Sequence, residues 1–177
     1  MFNPKHIHQH VLMDAVHSNN LDIIERHLPD ANKTWHPEEV LCYACQKGRL
    51  SMVQALLNVS DPNYDLGRPL QQAVAGGDHE VVKCLLKHCD ATLLRSEALQ
   101  LCVLNGESTL FDMVYPHSDC SVALSEVNNS IQAFRIDDSK CLALRNRLTE
   151  IVAQQRQHKT LSGATKNNGL AAPARKI

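Results

Sequence analysis

The chain resembles itself every 29 residues, and no other feature limits its fold as strongly. The segments LCYACQKGRLSMVQALL (41–57), LQQAVAGGDHEVVKCLL (70–86) and LQLCVLNGESTLFDMVY (99–115) superimpose without gaps. VLMDAVHSNNLDIIERHL (11–28) falls in the same frame, with Leu12 one period before Leu41, and a weaker copy, IQAFRIDDSKCLALRN, follows at 131–146. A fixed period of this length marks a solenoid, in which each unit buries its apolar face only against its neighbours. Four or five units are predicted.

Three columns of the self-alignment have a physical reading. One holds Asn19, Gly48, Gly77, Gly106 and Asp137, residue types that tolerate the left-handed backbone ending a helix, so a sharp helix-to-helix turn is predicted in every copy. Four residues earlier stand Ala15, Ala44, Ala73, Cys102 and Ala133, small side chains suited to close helix contact. After the turn come apolar pairs (Ile23 and Ile24, Met52 and Val53, Val81 and Val82, Leu110 and Phe111), followed by Leu56 and Leu57 or Leu85 and Leu86. Their spacing is that of a short second helix with one buried stripe. Pro37 and Pro69 suit first helical turns, while Asp78 and Ser96 are candidate caps. The third column, Asp30-Ala31-Asn32, Asp61-Pro62-Asn63, Asp90-Ala91-Thr92 and Asp119-Cys120-Ser121, is polar and turn-forming and links one helix pair to the next.

These residues resemble the ankyrin repeat, most clearly in GRPLQQAVAGGDHEVVKCLLKHCDA (67–91), with its Gly, Pro-Leu, Ala, Gly, Val-Val and Leu-Leu in order. The resemblance covers residues 10–121 and, more loosely, runs on to 146. It implies an all-α, ankyrin-like helix-turn-helix repeat solenoid with N- and C-terminal capping helices. The units, about 10–38, 39–67, 68–96, 97–125 and 126–158, are shorter than the ~33 residues usual for the family. Arg68 and Gln71 replace the Thr and His that flank the family's Pro-Leu. Short hairpin fingers between units are therefore expected. Another helical-pair solenoid or an irregular helical bundle would also carry the apolar stripes.

Residues 4–17 read as an opening helix, with Asn3 as cap and Ile7, Val11, Leu12, Ala15 and Val16 on its inner face. Its histidines supply the polar outer surface that a terminal unit needs. From Ser139 to Gln157 the pattern Cys141, Leu142, Leu144, Leu148, Ile151, Val152 reads as a longer amphipathic helix closing the repeat domain of 1–158. The tail 159–177 has Lys159, Lys166, Arg175 and Lys176 and no acid, and is expected to be disordered.

Against 18 Lys plus Arg stand 19 Asp plus Glu, so no overall field draws the chain to nucleic acid or an anionic membrane. The start, MFNPKHIHQH, lacks the apolar core of a secretory signal. No stretch approaches the ~20 apolar residues of a membrane span. A monomer that is cytoplasmic in the producing cell is expected. Of seven cysteines, Cys42, Cys45, Cys84, Cys102 and Cys141 lie inside apolar helical patterns and read as reduced core residues. Cys42-x-x-Cys45 has no second pair at zinc-site spacing, and phosphate loops and hydrolase motifs are absent, so no catalytic residue or cofactor is assigned. His6 and His10, one helical turn apart, allow a metal-binding alternative.

The function expected is a non-enzymatic scaffold or adaptor that binds a protein or peptide on an extended concave face made of first helices and loops. Aromatic and arginine side chains there gain most on desolvation. The candidates are Trp35 and its loop neighbour His36; Tyr64, Asp65, Arg68 and Arg95 in later loops; and Tyr43, Gln46 and Gln72 on first helices. A narrower expectation is a small effector of an intracellular bacterium, translocated into a host cell through its C-terminal tail.

Overall fold

Each unit begins as one apolar-striped helix, turns sharply and returns as a second, so the chain builds two layers of helices. A computed structural model describes residues 4–31, 33 and 35–167, with side chains from 9 to 162. The Asn3 cap, Asn32 of the loop column, the side chain of Ile7 and residues 168–177 of the tail lie outside the described residues. The pairs are α1 (Pro4–His17) with α2 (Leu21–His27), α3 (Pro37–Gln46) with α4 (Leu50–Leu56), and α5 (Tyr64–Gly76) with α6 (His79–Leu85). They continue as α7 (Leu93–Leu104) with α8 (Ser108–Val114) and α9 (Cys120–Phe134) with α10 (Ser139–Asn167). First helices α1, α3, α5, α7 and α9 pack in a row, and α2, α4, α6 and α8 form a second row behind them. No helix among the described residues is long and apolar enough to cross a membrane.

The period is stricter than the sequence reading made it. Left-handed residues fall at Asn19, Gly48, Gly77, Gly106 and Arg135, all 29 apart, with φ of 56°, 65°, 75°, 70° and 52°. Asp137 is therefore not the fifth turn residue, nor is exposed Ala133 the fifth close-contact residue. The fifth turn is Arg135, and Ile131 takes the small-residue place. The hydrogen bonds agree: the amide after the turn donates to the small-column carbonyl in Asn20 to Ala15, Arg49 to Ala44, Glu107 to Cys102 and Ile136 to Ile131.

Leu12, Leu41, Leu70 and Leu99 occupy equivalent, buried places in one continuous core. Around them lie Ala15, Ala44, Ala73 and Cys102, and from the second row Ile24, Met52, Val53, Val81, Val82, Leu110 and Phe111. Caps fix where the second helices begin. Asn20 Oδ1 accepts from Ile23 N at 3.4 Å and Asp78 Oδ1 from Val81 N at 2.9 Å. Arg49, at the same register, instead reaches back to donate to the carbonyls of Val16 and His17 at the end of α1, both at 3.2 Å. Asp78→Ala is expected to lose about 1 kcal/mol, read as a lowered urea midpoint. An unchanged midpoint would remove the cap from this account.

Between units, Asp61, Asp90 and Asp119 each accept the amide two residues on, at 2.8, 2.8 and 3.0 Å. One residue further on, two of these loops run left-handed for three residues: Asp65, Leu66 and Gly67, then Leu94, Arg95 and Ser96. For non-glycine residues this conformation costs roughly 1–2 kcal/mol each. Gln71 donates to Leu66 O at 3.2 Å and Gln100 to Arg95 O at 2.8 Å, pinning both turns in the same way. Ser96 does not cap a helix: it is buried, and its Oγ accepts from Asp119 N at 2.9 Å. These single turns stand where hairpin fingers were expected to be cut short.

The fifth unit lacks such a turn. Residues 123–125 are ordinary helix, so α9 starts at Cys120 and runs across the expected boundary at 126. α10 packs against α9 and α7 through Cys141, Leu144, Leu148 and Val152, and Arg147 ties it to α8 by an ion pair with Asp112 at 2.6 Å. The helix continues through Asn167, nine residues past the expected domain boundary at 158. At the other end Leu12, Ala15 and Val16 face inward as expected, whereas Val11 is 43% exposed.

Candidate binding surface

The first-helix row carries the side chains that the buried stripe leaves free. Where α1, α3 and α5 adjoin, they enclose a groove of about 370 Å³. Tyr43 and Gln46 reach it from α3, and Tyr64, Arg68 and Gln72 from α5, with Met13, Glu39 and Cys42 completing the lining. Five of the nine residues singled out from the sequence therefore share one site. His36 lines an adjoining recess of about 350 Å³ with Gln9, His10, Met13 and Glu39, and Gln9 donates to Glu39. Asp65 sits at the groove's edge in the left-handed turn, ion-paired to Arg68 at 3.2 Å.

Two candidates lie elsewhere. Arg95 is on the next loop, paired with Glu126 at 2.6 Å. Trp35 is not a surface residue at all: it is 1% exposed, and its Nε1 donates to His27 O at 3.2 Å. Its loop pairs Ala31 with Trp35, and Asp30 precedes Asp61 by 31 residues rather than 29, so Trp35 and Tyr64 are not in equivalent places. The indole plugs the first inter-unit gap.

Met13, Glu39 and Cys42 were missed by the sequence reading, although the frame holds the signal. His10, Glu39, Arg68, Glu97 and Glu126 share one column, and Asp14, Tyr43 and Gln72 share another. The column of Arg68 holds Glu39, and Met13 and Cys42 share the column of Gln71, directly beside that of Tyr43 and Gln72.

Electrostatically the groove is mixed. Burial, with help from the Glu39 and Asp65 carboxylates, pushes the Tyr64 phenol above its ordinary value. Burial likewise raises the Cys42 thiol to about 11, against a lowering pull from Arg68, so it is a neutral group at physiological pH. The Lys47 ammonium lies 5.4 Å from the Tyr43 ring centre. Two phenols, two amides, a carboxylate and a guanidinium thus surround Met13 and Cys42. This combines amphipathic anchors with oriented polar groups, as recognition surfaces do.

The other thiols follow the same physics. Burial pushes Cys89 and Cys102 up to about 12 and Cys45 further, and all seven cysteines are free. Iodoacetamide at pH 8 is expected to label Cys42, Cys89 and Cys102 roughly hundredfold more slowly in native than in urea-unfolded protein, as followed by mass spectrometry. Equal rates would remove burial as their controlling influence.

For the metal alternative, the side chain of His6 lies outside the described residues, and His10 is exposed. Among the described residues no three His, Cys, Asp or Glu groups are arranged to hold a metal ion.

The family model described as ankyrin repeats (3 copies) matches residues 12–94 and again 41–124. The chain belongs to the ankyrin repeat family. No curated protein and no solved structure matches it. Ankyrin repeats typically mediate binding to protein partners and are generally not enzymes. The paired helices and the 29-residue frame are this chain's version of the ankyrin repeat, shortened in the segment between units.

Proposed function

We propose that the chain is a non-enzymatic, monomeric adaptor that captures a segment of another protein in the groove of its first three units. One observation carries the reading: Tyr43, Gln46, Tyr64, Arg68 and Gln72, spread over two helices, line a single groove. An ankyrin array supplies the rigid backing that keeps such side chains at fixed spacing, which lowers the entropy cost of binding. Affinity capture with the wild-type chain and with a Tyr64→Ala/Arg68→Ala variant, followed by mass spectrometry, tests it. A partner retained by the wild type and lost by the variant supports the groove; a variant that keeps every partner removes it.

A narrower version, an effector working in the cytoplasm of a host cell, draws on the tail sequence with its four basic residues and no acid from 159 onward. A reporter fused to the full chain would reach the host cytoplasm, and one fused to residues 1–158 would not. Equal delivery of both would discard the tail as a signal.

A further inference from the structure

On the second-helix row, the third unit departs from its neighbours in a way that the scaffold does not require. In the 29-residue frame Lys83 corresponds to Glu25, Gln54 and Asp112, Lys87 to Pro29, Asn58 and Pro116, and His79 to Leu21, Leu50 and Ser108. Only the third unit places a basic or imidazole group at all three, and their i, i+4, i+8 spacing sets them along one side of α6 and the turn after it. Across from them, α8 and the turn that follows contribute Thr109, Met113 and His117.

The gap between these elements is a groove of about 540 Å³. Leu86 and Met113 are its half-buried apolar members, and exposed Lys83 and Lys87 stand at its edge. Among the described residues neither lysine has an ion-pair partner, and Glu80 is the one acid lining the groove.

We propose that this groove docks an acidic, amphipathic peptide segment of a partner protein, with an apolar side chain over Leu86 and Met113 and carboxylates at Lys83 and Lys87. Charge complementarity selects the occupant. The chain's own tail, with Lys159, Lys166, Arg175 and Lys176, has the wrong sign. A second copy docked groove to groove would set lysine against lysine across its two-fold axis. Nucleic acid would satisfy the ammonium groups but carries no aliphatic side chain for the apolar members. The site is independent of the first-helix groove.

The test is fluorescence anisotropy with a labelled helical peptide of about 15 residues, built of Leu, Glu and Ala with Leu on one face. Two companions replace every Glu by Lys or every Leu by Ser. The Leu/Glu peptide is expected to bind, the Lys version not to bind, and the Ser version to bind more weakly, with high salt reducing affinity. Lys83→Glu/Lys87→Glu is expected to weaken binding roughly tenfold or more. Thr109→Trp, at an exposed position, fills the groove without altering charge and is expected to do the same. Tyr64→Ala/Arg68→Ala is expected to bind like wild type, which separates failure here from failure of the adaptor groove. Any of three results overturns the proposal. The first is affinity unchanged in both the charge-reversed and Thr109→Trp variants. The second is an oligonucleotide that outcompetes the peptide. The third is self-association of the wild type that Thr109→Trp abolishes.

Discussion

Trp35→Ala is expected to cost the domain about 3–5 kcal/mol, the range for removing a large buried aromatic. The side chain is 1% exposed, belongs to the continuous core and ends in a hydrogen bond to His27 O, so truncation leaves a cavity between the first two units and removes that hydrogen bond. A domain stable by some 5–15 kcal/mol cannot absorb that loss unnoticed. Because units of an array are held by their nearest neighbours, the damage should be local, with α1 and α2 melting before the rest. Urea unfolding followed by far-ultraviolet circular dichroism should show a lower midpoint and an early helical phase. Trp35→Phe should recover much of the loss. An alanine variant that unfolds like wild type would return Trp35 to the surface.

The second large effect is on binding. Tyr64→Ala with Arg68→Ala is expected to weaken capture of the groove's partner by about 2 kcal/mol or more, roughly thirtyfold, as for paired hot-spot residues. Stability should move by no more than about 1 kcal/mol, since Tyr64 is only half-buried and the Arg68–Asp65 pair is exposed. Calorimetry with the captured partner gives the first quantity and urea unfolding the second. A Trp35→Ala protein would also lose partner, but in proportion to its unfolded fraction. Equal affinity of the folded double variant would exclude this groove as the docking site.

Much of the fold was legible because burial repeats what it needs. Leu12, Leu41, Leu70 and Leu99 had to be apolar, and Gly48, Gly77 and Gly106 suited a left-handed turn. The period faded in the fifth unit for a physical reason. Asn128, where the frame calls for leucine, serves a capping helix by accepting from Arg145 Nε at 2.8 Å, and Arg135 takes the turn usually left to glycine. A search for glycine-like residues therefore slid two positions to Asp137. Trp35 misled because an aromatic in a polar loop reads as exposed, and only the loop's length and the His27 contact reveal a plug. Gln71, a departure from the family pattern, became intelligible once its bond to Leu66 O and the matching bond of Gln100 were seen. The left-handed run Leu94-Arg95-Ser96 contains no glycine and left no mark that single-residue preferences could detect.

Those compact turns determine how a ligand meets the first-helix row. With one tight coil before α5 and before α7 in place of a projecting hairpin, no described residue between these units forms a finger over their side chains. A segment docked as proposed would rest on an open shelf, exposed to water along its outer flank, and would arrive and leave sideways without any part of the receptor having to swing aside.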